Sequence, residues 1–518
     1  MKHKAMWTRP ITDTRGLKIK LNQAQPTSQR LHAAFALVAS LLLAARVNLH
    51  AAGSAPLMTR PNIIVILVDD QGYGDFSCTG NPIIKTPQMD RMHDEGVRFT
   101  DFHVSPTCSP TRCALMSGAH EFKSGVTHTI LERERMSLTT VTLAQVLQSA
   151  GYTTGIFGKW HLGDEDAYQP DRRGFDEVFI HGGGGIGQTY PGSCGDVPDN
   201  KYFDPVIKHN GRFEKTTGFC TDIFTAQALK WMSSVKGKQP FFCYIPYNAA
   251  HEPLSCPPEF KKPYEGKVPD KVATFYGMLA NIDENVGNIM ARLKSLGIDT
   301  NTLVVLMNDN GGYAPACEIY NAGMRGSKAS AWEGGTRAVS FWRWPGTLKP
   351  ATVDQLTSVI DLFPTFAELA GVTLDAKAKA QVEGHSLVPL LKNPQAPWAD
   401  RNLITHVGRW GGMSPGAPPE KYMKYGCGIR NSQFSLVRNE NDWQLFDLKK
   451  DPGQTNDIAA RQPDVVKPLS AAYDQWWTTI LPDLVNEDAY KTAPKVNPFK
   501  EEYWKQFRDG QKTGTSPE

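Results

Sequence analysis

No stretch beyond residue 52 approaches eighteen consecutive apolar residues, so no membrane-spanning helix is expected in the mature chain. A surplus of one charge is missing too: 56 Lys/Arg face 53 Asp/Glu. Residues 1–52 hold eight of those bases (Lys2, Lys4, Arg9, Arg15, Lys18, Lys20, Arg30 and Arg46) against the single acid Asp13, which leaves the rest of the chain at −4. The basic footprint that nucleic acid demands is therefore absent, and no nucleic-acid partner is expected. The nine cysteines include no CxxC pair and are irregularly spaced, which argues against a zinc framework. Their odd number leaves at least one thiol unpaired. Cys194 and Cys220, in one loop-rich segment, are candidates for a bridge whose connectivity the sequence leaves open.

What is present suits a large globular protein: 40% apolar and 21% charged residues, with 45 glycines and 36 prolines for long connections. After the basic leader comes an apolar run, Ala33 to Ala45, followed by small residues around Ala51–Ala55. That order of features is a signal peptide, so residues 1–52 are expected to be a leader and the protein to be exported, periplasmic or secreted.

Beyond the leader, "PNIIVILVDDQGYGD" (Pro61–Asp75) and "TLVVLMNDNGGY" (Thr302–Tyr313) are apolar, β-branched runs ending in acids and glycine turns. Each reads as a buried parallel strand that delivers carboxylates at its C-terminal end. "GYTTGIFGKWHLG" and "PFFCYIPYNAAHEPL" end the same way in histidines, and helical patterns separate the runs. The alternation predicts an α/β fold, a large mostly parallel sheet flanked by helices, over residues 53–395. From 396 to 518 short strands followed by a helix at Pro463–Ile480 predict a smaller C-terminal α+β domain with a short antiparallel sheet.

The strand ends supply Asp69, Asp70, Asp309 and Asn310, an oxygen-only set suited to Ca²⁺ or Mg²⁺ and poor for zinc. Acids at strand ends equally well cap turns. Lys159 and His161, two apart on an extended segment, face the same way, and His251 and Lys328 lie in polar turns. Cations converging on a metal-bound anion would suit a phosphoryl or sulfuryl ester; singly, each is also an ordinary surface lysine or core histidine.

With these residues stands "CSPTR": Cys108, Pro110 and Arg112 match Cys-x-Pro-x-Arg. Together with "GKWHLG", the His251-x-Pro segment, "NDNGGY", "RGSKASAWEGGTR" and the tail "WQLFDLKKDPGQTNDIA", the chain from Pro61 to about Ile480 resembles the type I sulfatases of the alkaline-phosphatase-like superfamily. The resemblance implies a sulfuric ester hydrolase whose Cys108 is oxidised by a separate formylglycine-generating enzyme to Cα-formylglycine. The hydrated aldehyde is a geminal diol: one hydroxyl attacks sulfur, and the second lets the diol collapse and eject sulfate. It implies a cation, Ca²⁺ rather than Mg²⁺, held by Asp69, Asp70, Asp309 and Asn310 together with residue 108. Arg112 would orient the diol, Lys159 and Lys328 would hold sulfate oxygens, His161 would assist the collapse, and His251 would protonate the leaving oxygen.

Thr111 stands where serine is commoner in that family, and Ser117-Gly118-Ala119-His120 where Thr-Gly-Arg usually follows. A hydrolase of phosphate or phosphonate monoesters is the alternative within the superfamily, and an unmatured glycan-binding relative is the non-catalytic one. For an exported enzyme of this class the expected substrate is a sulfated glycan in preference to a small aryl sulfate. The loop His181–Pro205, with four consecutive glycines, either borders the pocket or is a plain surface loop. Arg409, Trp410 and Arg430 suit contacts to a sulfated sugar or structural roles alike.

Overall fold

The protein is described by a computed structural model covering residues 60–190, 192–412, 417–438 and 442–512. The leader expected over residues 1–52 lies outside the described residues.

An eleven-stranded sheet forms the centre of the fold. Its strands in chain order are β1 (Asn62–Val68), β2 (Val97–His103), β3 (Thr153–Lys159), β4 (Glu177–His181), β5 (Val206–His209), β6 (Arg212–Lys215), β7 (Phe241–Pro246), β8 (Thr302–Asn308), β9 (Arg337–Arg343), β10 (Ala351–Val353) and β11 (Thr357–Ser358). In space they run β10-β2-β9-β8-β1-β7-β3-β4-β5-β6, with β11 beside β2. The middle five, β8-β1-β7-β3-β4, are all parallel. Antiparallel β9 on one flank and β5–β6 on the other make the sheet mixed.

β1 shows why such a strand forms. All seven of its residues are buried. Ile63, Val65 and Leu67 join the core on one face while Ile64, Ile66 and Val68 join the core on the other. A strand with a helical layer on both sides loses the usual alternation of apolar and polar residues, because both pleat directions lead into packed interior. Helices Leu143–Ser149 and Leu362–Leu369 contribute to the first layer and Cys220–Val235 and Asp270–Leu296 to the second.

A second, antiparallel sheet follows, β12 (Leu403–His406), β13 (Cys427–Arg430), β14 (Phe434–Arg438) and β15 (Gln444–Asp447), with the helix Pro463–Ile480 packed on it through Leu469 and Tyr473. Strand types and centres agree with the sequence reading. All nine cysteines are free thiols, so the Cys194–Cys220 bridge that the sequence allowed is not formed. No helix among the described residues is long and apolar enough to cross a membrane.

Candidate active site

Parallel strands point the same way, so their C-terminal ends gather on one edge of the sheet. β1 ends in Asp69-Asp70, β8 in Asp309-Asn310, β3 in Lys159 followed by His161, and β7 leads to His251. The turn after β1 puts Asp70 at φ 57°, and the turn after β3 puts His161 at φ 59°. Both non-glycine residues are held in a left-handed conformation that most side chains avoid.

Carboxylate oxygens of Asp69, Asp70 and Asp309 lie within 4.8 Å of one another. Arg112, wholly buried, donates from Nη2 to Asp309 Oδ2 at 2.8 Å and to Asp69 Oδ2 at 3.3 Å, and from Nη1 to the Lys159 carbonyl at 3.2 Å. Lys159 Nζ pairs with Asp69 Oδ2. Lys328 Nζ sits 2.7 Å from Asp70 Oδ1, which also accepts from Asn310 Nδ2 at 2.9 Å. Three carboxylates thus meet three cations, all buried except Lys328, whose side chain is 19% exposed.

Two oxygens are left over. Asp69 Oδ1 and Asn310 Oδ1 are buried without any hydrogen-bond partner. An orphaned buried oxygen is costly, and two of them on a patch of three carboxylates mark a place built for a hard cation. Protonation reflects the crowding. Burial is the largest influence on Asp69 and opposes its ionisation, but Lys159, His251 and Arg112 together outweigh it and hold that carboxyl below the usual range. For Asp309 burial and the neighbouring Asp69 charge win over Arg112 and push the carboxyl well up. A divalent cation among these oxygens would reverse that and leave the site with a positive surplus, as an anionic ester requires.

Cys108 is the first residue of the helix Cys108–Ser117, and it is buried. Residue 108 therefore sits at the positive end of the helix dipole. Burial is the largest influence and raises its thiol, but Lys159, Lys328 and hydrogen bonds to His161 and His251 together outweigh it, and the thiol lies well below its ordinary value. Its Sγ is within 4.8 Å of ligand atoms of both Asp69 and His251. Cys113 has the opposite environment: buried, with Glu121 nearby, its thiol is pushed up. One cysteine of the pair is set for anionic chemistry and the other is packing.

His161 Nε2 lies 2.7 Å from the Thr129 carbonyl, to which only a protonated nitrogen can donate. That fixes the neutral tautomer with Nδ1 unprotonated, and Nδ1 is buried with no partner. Burial and then Lys159 lower the pKa of the ring to about 4. His251 Nε2 lies 4.0 Å from Asp70 Oδ2, while its Nδ1 is 2.7 Å from the Glu252 carbonyl. All eight residues named from the sequence for anion and cation chemistry beside Cys108 and Arg112 therefore converge with them on one edge. The glycine loop borders them: a Cβ on Gly184 would come within 2.8 Å of the His161 ring, and one on Gly185 within 2.9 Å of His251 Nδ1. Bare backbone is required there.

With that geometry in place, comparison with known proteins is decisive. The family model "Sulfatase" matches residues 61–372, and "N-sulphoglucosamine sulphohydrolase, C-terminal" matches 328–473. The chain belongs to the sulfatase family. Among curated relatives it is 31% identical to human arylsulfatase A over 79% of this chain and 86% of that protein. It is 32% identical to mouse N-acetylgalactosamine-6-sulfatase over 71% and 72%. Among solved structures, Ps i-CgsB in complex with k-i-k-neocarrahexaose superposes with TM-score 0.70 at 27% identity, covering 80% of this chain and 92% of that one. The phosphonate monoester hydrolase of Agrobacterium radiobacter shares the fold at TM-score 0.58 and 18% identity. This sulfatase is a sulfuric ester hydrolase with an alkaline-phosphatase-like fold.

The three C-terminal residues separate. Trp410 is buried, with the Arg133 guanidinium 4.5 Å over its ring and its Nε1 donating to Glu487. Arg430 is buried between Asp101 and Glu333. Neither is free to meet a sugar. Arg409 does reach the site region: its Nη2 donates to Thr129 Oγ1 at 2.8 Å. The sequence reading missed Thr129, whose carbonyl orients His161, and Cys194, whose Sγ lies 3.6 Å from His161 Nε2. No motif announces a backbone carbonyl. In the stretch Ser117–His120, where the family's Thr-Gly-Arg is missing, the His120 backbone N–H donates to Glu383 at 2.9 Å and its ring packs on Phe122 and Trp476.

Proposed function

We propose that this sulfatase removes sulfate from a sulfated carbohydrate, with residue 108 as Cα-formylglycine and a divalent cation, Ca²⁺ before Mg²⁺, held by Asp69, Asp70, Asp309, Asn310 and residue 108. The observation that carries this reading is the position of Cys108: at a helix N-terminus and within 4.8 Å of ligand atoms of Asp69 and His251, beside the cluster that holds the two partnerless oxygens. In that place Cys108 Sγ stands in for the oxygens of the hydrated aldehyde. The cation would supply charge neutralisation and favour the ionised nucleophile.

The chain's own residues do the rest. Lys159 and Lys328 hold the sulfate oxygens and stabilise the charge that accumulates as the S–O bond breaks. Arg112, fixed by two carboxylates and a carbonyl, orients residue 108. His161, with Nε2 committed to Thr129, keeps Nδ1 available to take a proton from residue 108. His251 gives a proton to the leaving oxygen. The carbohydrate assignment is supported by the N-acetylgalactosamine-6-sulfatase relative and by the complex of Ps i-CgsB with k-i-k-neocarrahexaose. The leader and the maturation step belong to the same proposal: an exported enzyme whose Cys108 is converted by a formylglycine-generating enzyme, with a C-terminal α+β domain from residue 396.

Two measurements test it on protein co-expressed with that enzyme. Peptide mass spectrometry is expected to show the Cys108 peptide lighter by roughly 18 Da, the loss for CH₂SH becoming CHO, which the ordinary oxidation ladder does not produce. Turnover of p-nitrophenyl sulfate is expected to exceed that of p-nitrophenyl phosphate. An intact thiol as the sole form, or a preference for phosphate, overturns the proposal.

A further inference from the structure

The loop that carries Lys328 and the segment that carries Arg409 continue past the catalytic edge and form the two walls of a groove of about 480 Å³, within the size range of small-ligand sites. Ala329, the residue after Lys328, and Ser330 line one wall with Arg325; Val407, two residues before Arg409, lines the other with Tyr425 and Gln444. The groove is thus lined by the chain neighbours of the lysine proposed to hold sulfate, and it lies between that loop and the small sheet.

Three of its side chains are presented in an unusual way. Tyr425 is 52% exposed, a large ring that folding leaves in water. The Arg325 guanidinium lies 3.7 Å from the centre of the Trp332 ring. That stack holds the side chain in place, and no carboxylate among the described residues pairs with it, so its charge remains available. Trp332 is itself anchored in a small core with Val437 and Phe446 of the second sheet. Gln444 adds an amide that can both donate and accept. A flat aromatic face, a held guanidinium and an amide are the groups that bind a sugar ring bearing an anionic substituent.

We propose that this groove binds the next sugar of an anionic glycan chain, with Tyr425 under the ring and Arg325 on its sulfate or carboxylate, so that the enzyme acts on oligosaccharides in preference to single sugars. The inference rests on the sulfated-carbohydrate reading of the site, and it adds a second binding position with its own residues.

The test is inhibition of p-nitrophenyl sulfate turnover by chondroitin sulfate and carrageenan oligosaccharides of graded length, against matured wild-type enzyme, Arg325→Gln and Tyr425→Ala. For at least one of the two series, the wild-type inhibition constant is expected to fall by about tenfold or more from the shortest to the next member, an added contact worth one decade of affinity. In each variant that gain shrinks to about threefold or less, while kcat/KM on p-nitrophenyl sulfate stays within about twofold. For Arg325→Gln the salt dependence of inhibition weakens as well. A flat length dependence in both series, an unchanged dependence in both variants, or equal inhibition by desulfated oligosaccharides overturns the groove. So does a parallel loss on p-nitrophenyl sulfate with a lowered Tm, which marks a structural role. Absence of p-nitrophenyl sulfate turnover in matured enzyme strikes the catalytic reading instead; calorimetric binding of the same oligosaccharides then reads the length dependence directly.

Discussion

Two buried acid clusters in this protein have nearly the same ingredients. At the catalytic edge Asp69, Asp70 and Asp309 meet Arg112, Lys159 and Lys328. At the junction with the small sheet Asp101 and Glu333 meet Arg430 and His103. Both bring three potential ligand groups within 4.8 Å of one another. They differ in closure. Arg430 donates to Glu333 at 3.0 Å and to Asp101 at 2.9 Å, and no buried atom of Asp101, His103, Glu333 or Arg430 lacks a partner. In the first cluster Asp69 Oδ1 and Asn310 Oδ1 are left without one. A satisfied network holds two parts of a fold together; an unsatisfied one, at the open end of a parallel sheet, is kept for something that arrives from outside.

The largest expected effects break the open cluster. Cys108→Ala should lower kcat/KM on p-nitrophenyl sulfate by at least about 10³-fold, because the proposed nucleophile is gone, with Tm little changed. Asp309→Asn should cost about 10²-fold or more in the same assay by removing a charge from the proposed cation ligands and from Arg112. The closed cluster should respond in stability instead. Arg430→Met leaves Asp101 and Glu333 buried without their cation, and denaturant unfolding should show a loss of about 3–5 kcal/mol. Below its melting transition that variant should retain kcat/KM within about threefold, since Arg430 touches no group at the catalytic edge.

Ca²⁺ should raise the Tm of wild-type protein treated first with EDTA, by a stabilisation of about 2.7 kcal/mol at a hundredfold excess over its Kd. Asp69→Asn/Asp309→Asn should abolish that rise, whereas Arg430→Met should leave it intact. A rise that survives loss of both carboxylates would place the ion elsewhere.

The smallest effect concerns pH. Burial and then Arg430 depress the pKa of His103 below 6.5, so the folded protein keeps it neutral. Below about pH 6.5 the unfolded chain takes up a proton that the folded chain refuses, and stability falls as pH falls, by at most about 1.4 kcal/mol per pH unit. His103→Asn should flatten that slope in urea titrations between pH 6.5 and 5 while leaving the pH profile of turnover unchanged.

Legibility followed chain locality. β1 and β8 could be read because uninterrupted β-branched runs ending in acids and glycines have few other solutions, and because parallel strands must deliver their ends to one edge. That rule alone brought Asp69, Asp70, Asp309, Asn310, Lys159, His161 and His251 into a common region. What failed to show in the sequence was contact between segments far apart in the chain. Arg430 and Arg409 look alike in the sequence, each in a short strand-like stretch with aromatics or glycines. Packing buries Arg430 against Asp101 and leaves Arg409 at Thr129. The Thr129 carbonyl, 32 residues before His161, carries no side-chain signature at all.

By itself the sequence determined the order of strands and helices, the family and the residues able to do chemistry, because hydrophobic period and residue type are local properties. Only the tertiary structure decided which of two similar acid clusters is closed and which keeps unpaired oxygens. Hydrogen-bond satisfaction depends on where Arg430, Lys159 and Arg112 end up, and folding alone brings them there.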